Sequence, residues 1–185
     1  MTTGERKGNM ASGLTFAEQL IRFYGMKPLP IEGGFYTQTY RSPETISKGV
    51  LPERYQEERP YGTAILYLYN TDPDCFSALH RLPTDEVYHF YLGSPVEMLL
   101  LHPHGKSERV ILGQDIFNQQ KLQLVVPRGV WQGSHLLAGG PFALMGTTMA
   151  PGYVESDYEG GEREELIRQY PHEADLIRLL TRVGG

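Results

Sequence analysis

The stretch from Ser77 to Gly93, S-A-L-H-R-L-P-T-D-E-V-Y-H-F-Y-L-G, is the part of the chain that decides its fold. It places His80 six residues before Glu86, with Pro83 and Thr84 between two strand-like runs. Two antiparallel strands joined by a short turn point alternate side chains to the same face. The spacing therefore predicts an imidazole and a carboxylate on one inward face, where they can share an ion, a proton or a substrate.

Short strands separated by turn residues occupy most of the chain on either side of this stretch. Apolar and aromatic runs bounded by Gly, Pro, Asn or Asp predict strands at residues 35–41, 63–69, 75–82, 86–92, 96–101, 109–112, 122–126, 130–136 and 142–150. Short strands at this spacing favour a sandwich or barrel over alternating strands and helices. The predicted fold class is therefore mainly β.

Helices are predicted only near the two ends. In residues 15–24, Thr15 and Glu18 form a capping box and Gly25 supplies the stop. Residues 162–170 and 171–181 predict two further helices, which we expect to pack outside the sheet or against a neighbouring chain. The polar segment 42–60 predicts a long, mobile loop.

Length and composition limit the possible functions. A chain of 185 residues is expected to form one domain, here residues 14–185 after a flexible N-terminus at residues 1–13. The net charge of −5 and the absence of a basic run argue against nucleic-acid and membrane partners. The single cysteine, Cys75, and the lack of a long apolar N-terminal run predict a soluble, cytoplasmic protein.

The strand at residues 86–92 also bears on assembly. Its two alternating faces are both apolar or aromatic, with Tyr88 and Phe90 on one and Val87 and Tyr91 on the other. A sheet with two such faces has both of them covered. Either the terminal helices or a second subunit covers the outer face, so the pattern predicts a homodimer.

Two short motifs make the chain resemble the cupin superfamily. His80, Glu86 and Gly93 fall at the spacings of the first cupin motif, whereas Leu82 stands in the place of its second histidine. In the second motif Pro127 and Gly129 match, and Gln132 takes the histidine place.

Longer phrases make the chain similar to the fifth cupin subfamily in particular. They are E-G-G-F-Y-T-Q-T-Y-R-S at residues 32–42, V-V-P-R-G-V-W-Q-G at residues 125–133 and A-P-G-Y at residues 150–153. The resemblance implies a jelly-roll barrel that is often dimeric, with a pocket in the barrel mouth. It implies no particular reaction, because members of the superfamily have many activities.

The candidate catalytic residues are His80, Glu86 and Tyr88. An imidazole titrates near neutral pH and can move a proton next to a carbonyl, while a neighbouring carboxylate raises its basicity. Tyr88 shares the parity of Glu86 and is a candidate phenolic acid or a wall residue. Gln132 can bind a substrate hydroxyl or carbonyl, and Arg41 can attract an anionic group or form a surface ion pair.

Other residues are weaker candidates for chemistry. His89 and Trp131 have the opposite parity and are expected outside the pocket. Asp85 is interpreted as a turn residue or a helper of the site. His102 and His104 flank a proline and are expected in an exposed turn, although two such histidines can chelate an ion.

A divalent metal is a candidate cofactor with an incomplete ligand set. The superfamily's metal site uses three imidazoles and one carboxylate, whereas this chain offers His80, Glu86 and Gln132 beside the apolar Leu82. An amide oxygen is a poor neutral replacement for an imidazole. Three hypotheses remain: an isomerase or epimerase acting on a sugar derivative, a non-catalytic ligand- or partner-binding module, and a metal-dependent oxygenase.

Overall fold

Two antiparallel β-sheets lie face to face in the computed structural model, which describes residues 13–182. The strands are β1 (Lys27–Pro28), β2 (Phe35–Arg41), β3 (Thr45–Ile46), β4 (Arg59–Pro60), β5 (Thr63–Asn70), β6 (Ser77–Arg81), β7 (Glu86–Gly93), β8 (Val96–Leu101), β9 (Ser107–Leu112), β10 (Gln123–Val126), β11 (Trp131–Leu136), β12 (Phe142–Met149) and β13 (Glu159–Gly160). One sheet has the order β1-β2-β5-β12-β7-β10, and the other has the order β13-β6-β11-β8-β9. The mainly β prediction is confirmed. The predicted flexible N-terminus lies outside the described residues except for Gly13.

The main hydrophobic core lies between the two sheets. It includes Tyr88 and Phe90 from β7, Met98 and Leu100 from β8, and Met145 from β12, all buried. The positions within β7 and within β8 are two residues apart, and Met145 on β12 pairs with Phe90 on β7. Such positions share one face of a pleated sheet. The inward parity predicted for Glu86, Tyr88 and Phe90 therefore holds.

Three α-helices cover the outer faces: α1 (Phe16–Tyr24), α2 (Arg163–Gln169) and α3 (Ala174–Leu179). The capping box predicted for α1 is present, since the Thr15 hydroxyl accepts from the backbone N–H of Glu18 and the Glu18 carboxylate accepts from that of Thr15. Helix α1 packs on the six-stranded sheet, and α2 and α3 pack on the five-stranded sheet. No helix within residues 13–182 is long and apolar enough to cross a membrane.

The segment 42–60 is more structured than its polar sequence indicates. It contains the β3–β4 pair, and the side chains of Tyr55 and Arg59 within it are each only 1% exposed. The buried Arg59 guanidinium is compensated by Asp157, whose Oδ1 lies 2.7 Å from Nη2. The sequence led us to expect a long, mobile loop here, whereas the structure has a short strand pair, and a buried ion pair and a buried aromatic ring attach the segment to the barrel.

A candidate active site in the barrel cavity

A cavity of about 280 Å³ lies between the sheets at one end of the barrel. Its walls come from β2, β5, β6, β7 and β12, and from the segment that precedes β13. His80, Glu86, Tyr88 and Arg41, four of the predicted site residues, line this cavity. The fifth predicted site residue, Gln132, is 1% exposed and contacts His80 and Glu86 from behind the cavity wall.

His80 is held in one orientation on β6. Its Nδ1 lies 2.8 Å from the carbonyl oxygen of Ala78, which can only accept a hydrogen bond, so Nδ1 carries a proton. In the neutral ring Nε2 therefore has the lone pair. The ring of Tyr158 stacks on the imidazole with a centroid separation of 5.2 Å. These contacts fix the tautomer and the plane of the one histidine that lines the cavity.

Gln132 bridges His80 and Glu86. Its Nε2 lies 2.7 Å from Oε2 of Glu86 and 3.4 Å from Nε2 of His80. The pairing of β11 with β6 places Gln132 directly beside His80, which explains the contact. The sequence led us to expect Glu86 as a direct partner of His80, but the amide lies between them. The contact between His80 and Glu86 is therefore indirect and passes through Gln132.

Glu86 is 7% exposed and has a second hydrogen-bond donor in Tyr88, whose hydroxyl lies 3.2 Å from Oε2. Burial, and then the charge of Glu86, raise the pKa of Tyr88 well above its ordinary value. The phenol thus keeps its proton at neutral pH and donates a hydrogen bond to Glu86. Tyr88 consequently orients the Glu86 carboxylate. This hydrogen bond does not favour the predicted role of Tyr88 as the acid that protonates a substrate.

Glu32 is a cavity residue that the motif pattern did not identify. It is half-buried in the turn between β1 and β2, and its Oε1 accepts a hydrogen bond of 2.8 Å from the hydroxyl of Ser77. Burial raises the pKa of its carboxyl, and the charge of Glu86 adds to that effect while His80 opposes it. Three glutamates therefore line the cavity, and Glu32 and Glu86 are in environments that differ from each other and from that of the exposed Glu155.

The two glycines after Glu32 explain how this carboxyl reaches the cavity. Gly33 and Gly34 have φ values of 103° and 66°, which only glycine adopts without strain. The carbonyl of Gly33 accepts a hydrogen bond of 2.6 Å from the Tyr67 hydroxyl. The sequence signals for Glu32 were its place directly before a glycine pair and at the start of the family phrase at residues 32–42.

Tyrosine side chains supply much of the remaining polar surface of the cavity. The residues are Tyr36, Tyr67, Tyr69, Tyr153 and Tyr158. Burial raises the pKa of Tyr153 to about 12, so its hydroxyl is a donor at neutral pH. Arg41 is exposed at the cavity mouth and donates to the carbonyl of Tyr153 over 3.1 Å.

The donor set does not fit a tightly bound metal ion. The Gln132 group that faces Glu86 and His80 is the N–H₂, which donates hydrogen bonds and cannot coordinate a cation. Leu82 brings an apolar side chain to the cavity wall at the remaining motif position. Within residues 13–182 no cluster of three or more His, Cys, Asp or Glu side chains is arranged to hold an ion. His80, Glu86 and Gln132 thus form a hydrogen-bonded unit instead.

The weaker candidates lie outside the cavity. His89 lies on the outer face of β7, as its parity predicted, and its Nε2 is 3.0 Å from the hydroxyl of Thr148 on β12. Trp131 is half-buried, and the Arg81 guanidinium lies 4.6 Å from its ring centroid. Asp85 accepts a 2.8 Å hydrogen bond from the backbone N–H of Arg128, which confirms a turn role. His104 has a φ of 70° in the turn after β8.

Comparisons with known proteins agree with this architecture. The family model described as Cupin superfamily (DUF985) matches residues 18–160. An uncharacterized protein of Saccharomyces cerevisiae is 27% identical over 145 residues, which cover 74% of this chain and 71% of that protein. A crystal structure of a Shewanella oneidensis protein is 28% identical, with a TM-score of 0.78, over 92% of this chain and 100% of that one. A hypothetical protein from Leishmania major is 26% identical, with a TM-score of 0.79, over 91% of this chain and 100% of that one.

Proposed function

The chain belongs to the Cupin superfamily family DUF985, and on that premise we propose that it is an isomerase or epimerase acting on a small, uncharged polyhydroxy compound such as a sugar derivative. Such chemistry needs a base, an acid and a group that polarises a carbonyl. The observation that carries the proposal is the fixed tautomer of His80. Its Nδ1–H donates to the Ala78 carbonyl, and its Nε2 lone pair contacts no carboxylate within residues 13–182.

In the proposed reaction His80 removes a proton from the carbon next to a carbonyl group. A substrate that displaces the Gln132 N–H₂ from its long, 3.4 Å contact exposes the Nε2 lone pair for this step. Gln132 remains hydrogen-bonded to Glu86, so the carboxylate stabilises the imidazolium that forms.

Glu32 is the proposed acid on the other side of the substrate. A carboxyl with a raised pKa keeps a proton closer to neutral pH than an ordinary glutamate does, and can deliver it to the substrate. Ser77 holds the carboxyl in place through its 2.8 Å hydrogen bond. Glu32 thereby takes the acid role that the sequence suggested for Tyr88.

The charges of the cavity support an uncharged substrate. Glu32 and Glu86 both line it and would repel an anion, while the positive charge of Arg41 lies at the mouth. Tyrosine hydroxyls and carboxylates can bind the several hydroxyl groups of a sugar, and the apolar wall, including Leu29, Ile65 and Met145, can contact its carbon face.

A non-catalytic binding module is the second candidate. It is supported by the shielding of His80, which is 3% exposed and whose only free nitrogen faces the Gln132 amide. A base that cannot reach its substrate would leave the cavity able to bind a ligand but unable to transform it. The metal-dependent oxygenase is the least supported of the three hypotheses, since the Gln132 amide and Leu82 do not complete a ligand set.

Solvent exchange separates the two leading candidates. Sugars and uncharged sugar derivatives that raise the melting temperature are incubated with the protein in D₂O, and loss of a carbon-bound hydrogen is followed by NMR. We expect the wild type to exchange the hydrogen and the exchange rate to fall by about 100-fold or more in H80N. The affinity of H80N for the ligand should stay within about threefold of that of the wild type. H89N, the same substitution outside the cavity, is expected to exchange normally. Ligands that bind without any exchange in the wild type would support the binding module, and undiminished exchange in H80N would exclude His80 as the base.

We also propose that the protein is a homodimer. Helices α2 and α3 cover the five-stranded sheet. Helix α1 covers only the part of the six-stranded sheet around Leu68 and Leu144. Large apolar side chains remain exposed on or beside the β7–β10 edge, and we refer to them as the edge patch: Tyr91 (44% exposed), Ile116 (50%), Phe117 (94%), Leu122 (48%) and Val125 (52%). An apolar patch beside an edge strand fits a second copy of the same sheet.

An intracellular, reducing location is the remaining proposal, supported by the single cysteine, Cys75, which is buried as a free thiol. Cell fractionation with an antibody to the protein tests it, and recovery from the secreted fraction would contradict it.

A further inference from the structure

A second cleft, of about 430 Å³, lies on the other side of Leu82 and Tyr158 from the barrel cavity. Four arginines line it: Arg54, Arg59, Arg81 and Arg128. They come from the 42–60 segment, the end of β6 and the turn before β11, so the fold gathers them from three parts of the chain. This concentration of positive charge occurs in a protein whose net charge is −5.

The buried arginine has hydrogen-bonding capacity that the protein leaves unused. Arg59 is 1% exposed and pairs with Asp157 through Nη2. Its Nε and Nη1 have no hydrogen-bond partner within residues 13–182. The ring of Tyr55, 5.1 Å from the guanidinium carbon, offers a π face but no lone pair in the guanidinium plane. Unpartnered buried donors of this kind call for an acceptor, either a bound anion or an ordered water that contacts one.

Two of the other arginines also have free donors. Arg54 uses only Nε, which donates to the Pro83 carbonyl over 3.0 Å, and its guanidinium carbon lies 4.7 Å from the centroid of Tyr55. The exposed side chain of Arg128 forms no hydrogen bond or ion pair within the described residues, while Asp85 holds its backbone N–H in place. The Arg54 and Arg128 guanidiniums are thus available to a ligand.

The two carboxylates that line the cleft compensate only two of its four arginines. Asp157 is paired with Arg59, and Glu159 forms two hydrogen bonds, of 2.6 and 2.7 Å, with Arg81. Arg81 is further held by the ring of Trp131. With these two carboxylates engaged, Arg54 and Arg128 provide the uncompensated positive charge of the cleft, with the unused donors of Arg59 behind them.

We propose that this arginine cleft binds a phosphate group, either as inorganic phosphate or as a phosphate monoester. A guanidinium is a planar fork that matches two oxygens of a phosphate. Arg54 and Arg128 can contact the oxygens of a dianionic phosphate directly, and the buried donors of Arg59 can reach such an anion through an ordered water. The inference does not depend on proton transfer in the barrel cavity, since it uses neither His80 nor Glu86.

Calorimetric titration in phosphate-free buffer tests the proposal, with inorganic phosphate in one arm and a simple phosphate monoester in the other. Sodium chloride at matched ionic strength measures the effect of screening alone. We expect saturable binding to the wild type in at least one arm, and the tighter arm identifies the source of the phosphate group.

R128Q and R168Q provide a matched pair of variants. Both remove one exposed arginine charge, but Arg168 lies on α2, outside the cleft. We expect R128Q to weaken phosphate binding by about tenfold or more and R168Q to leave it unchanged. Heats no larger than those of sodium chloride for the wild type, or equal affinities of the two variants, would overturn the proposal. Because the Arg128 side chain has no partner in the described protein, its replacement is not expected to affect folding, which circular dichroism checks.

Discussion

At the residue scale, two of the three glutamates that line the barrel cavity, Glu32 and Glu86, are in unlike surroundings. Glu86 accepts hydrogen bonds from Gln132 and Tyr88, which stabilise its charged form, whereas Glu32 has one hydroxyl donor, Ser77. Burial raises the pKa of the Glu32 carboxyl, and the charge of Glu86 adds to this effect.

The raised pKa of Glu32 has a defined effect on stability. The folded state keeps the Glu32 proton to a higher pH than the unfolded chain, in which the carboxyl has its ordinary value of 4.5. Stability is thus lost as the pH rises from that value through the folded-state pKa. We expect E32Q to be no more stable than the wild type at about pH 4 and more stable at about pH 7, because the amide carries no charge to bury.

Thermal unfolding between about pH 4 and pH 8 measures this difference. In a chain of this size the melting temperature shifts by about 2–4 °C for each kcal/mol of stability. E58Q, at an exposed glutamate, is the control and should follow the wild type throughout. If E32Q were less stable than the wild type at neutral pH and equal to it in acid, the charge of Glu32 would be stabilising and its proposed acid role would be wrong.

At the element scale, the 42–60 segment is joined to the barrel by side chains rather than by a long strand pairing. Its β3–β4 pair is only two residues long on each strand. The Arg59–Asp157 ion pair connects it to the segment before β13, and the Tyr55 hydroxyl is 2.9 Å from that of Thr84, in the turn between β6 and β7. The segment therefore packs against both the cavity wall and the arginine cleft.

Removing one member of this buried pair should loosen the segment. D157N leaves the Arg59 charge buried without compensation, and we expect the free energy of unfolding to fall by about 3–5 kcal/mol. D175N makes the same change in the exposed Asp175–Arg178 pair and should cost less than about 1 kcal/mol. Urea unfolding followed by circular dichroism gives both values. Equal losses in the two variants would mean that Arg59 is compensated by groups other than Asp157.

At the scale of the whole molecule, the two sheets differ in how their outer faces are covered. Two helices seal the five-stranded sheet, while the six-stranded sheet has only α1 and keeps the edge patch open. The outer side chains of β7 whose apolar character first suggested an interface lie next to this patch, since Val87 pairs directly with Val125. A second copy would bury the patch and cover the exposed edge of β10.

Dimerisation can be tested with a charge placed in the edge patch. We expect the wild type to have twice the 20.9 kDa mass of one chain, and V125E to be monomeric because an unpaired carboxylate would be buried in the interface. Light scattering after size exclusion measures the mass. V50E, at a side chain that is 77% exposed elsewhere, should stay dimeric. A monomeric wild type, or a dimeric V125E, would exclude this interface.

The sequence by itself determined the features that follow from local periodicity and spacing. Alternation placed Glu86 and Tyr88 on the inner face of β7, the capping box began α1 at its observed residue, and the motif spacing brought His80 to the same cavity as Glu86. Each of these depends on residues close together in the chain, where the pleat and the helical turn constrain which side chains are neighbours.

Only the tertiary structure decided which distant groups meet. The Gln132 amide separates His80 from Glu86, the turn at Gly33 brings Glu32 into the cavity, and Asp157 lies against Arg59. These contacts join segments that are far apart in the chain, and they follow from strand order and packing, which no local pattern encodes. The polar composition of the 42–60 segment was misleading for the same reason, since its buried arginine is stabilised by Asp157, a residue far away in the sequence.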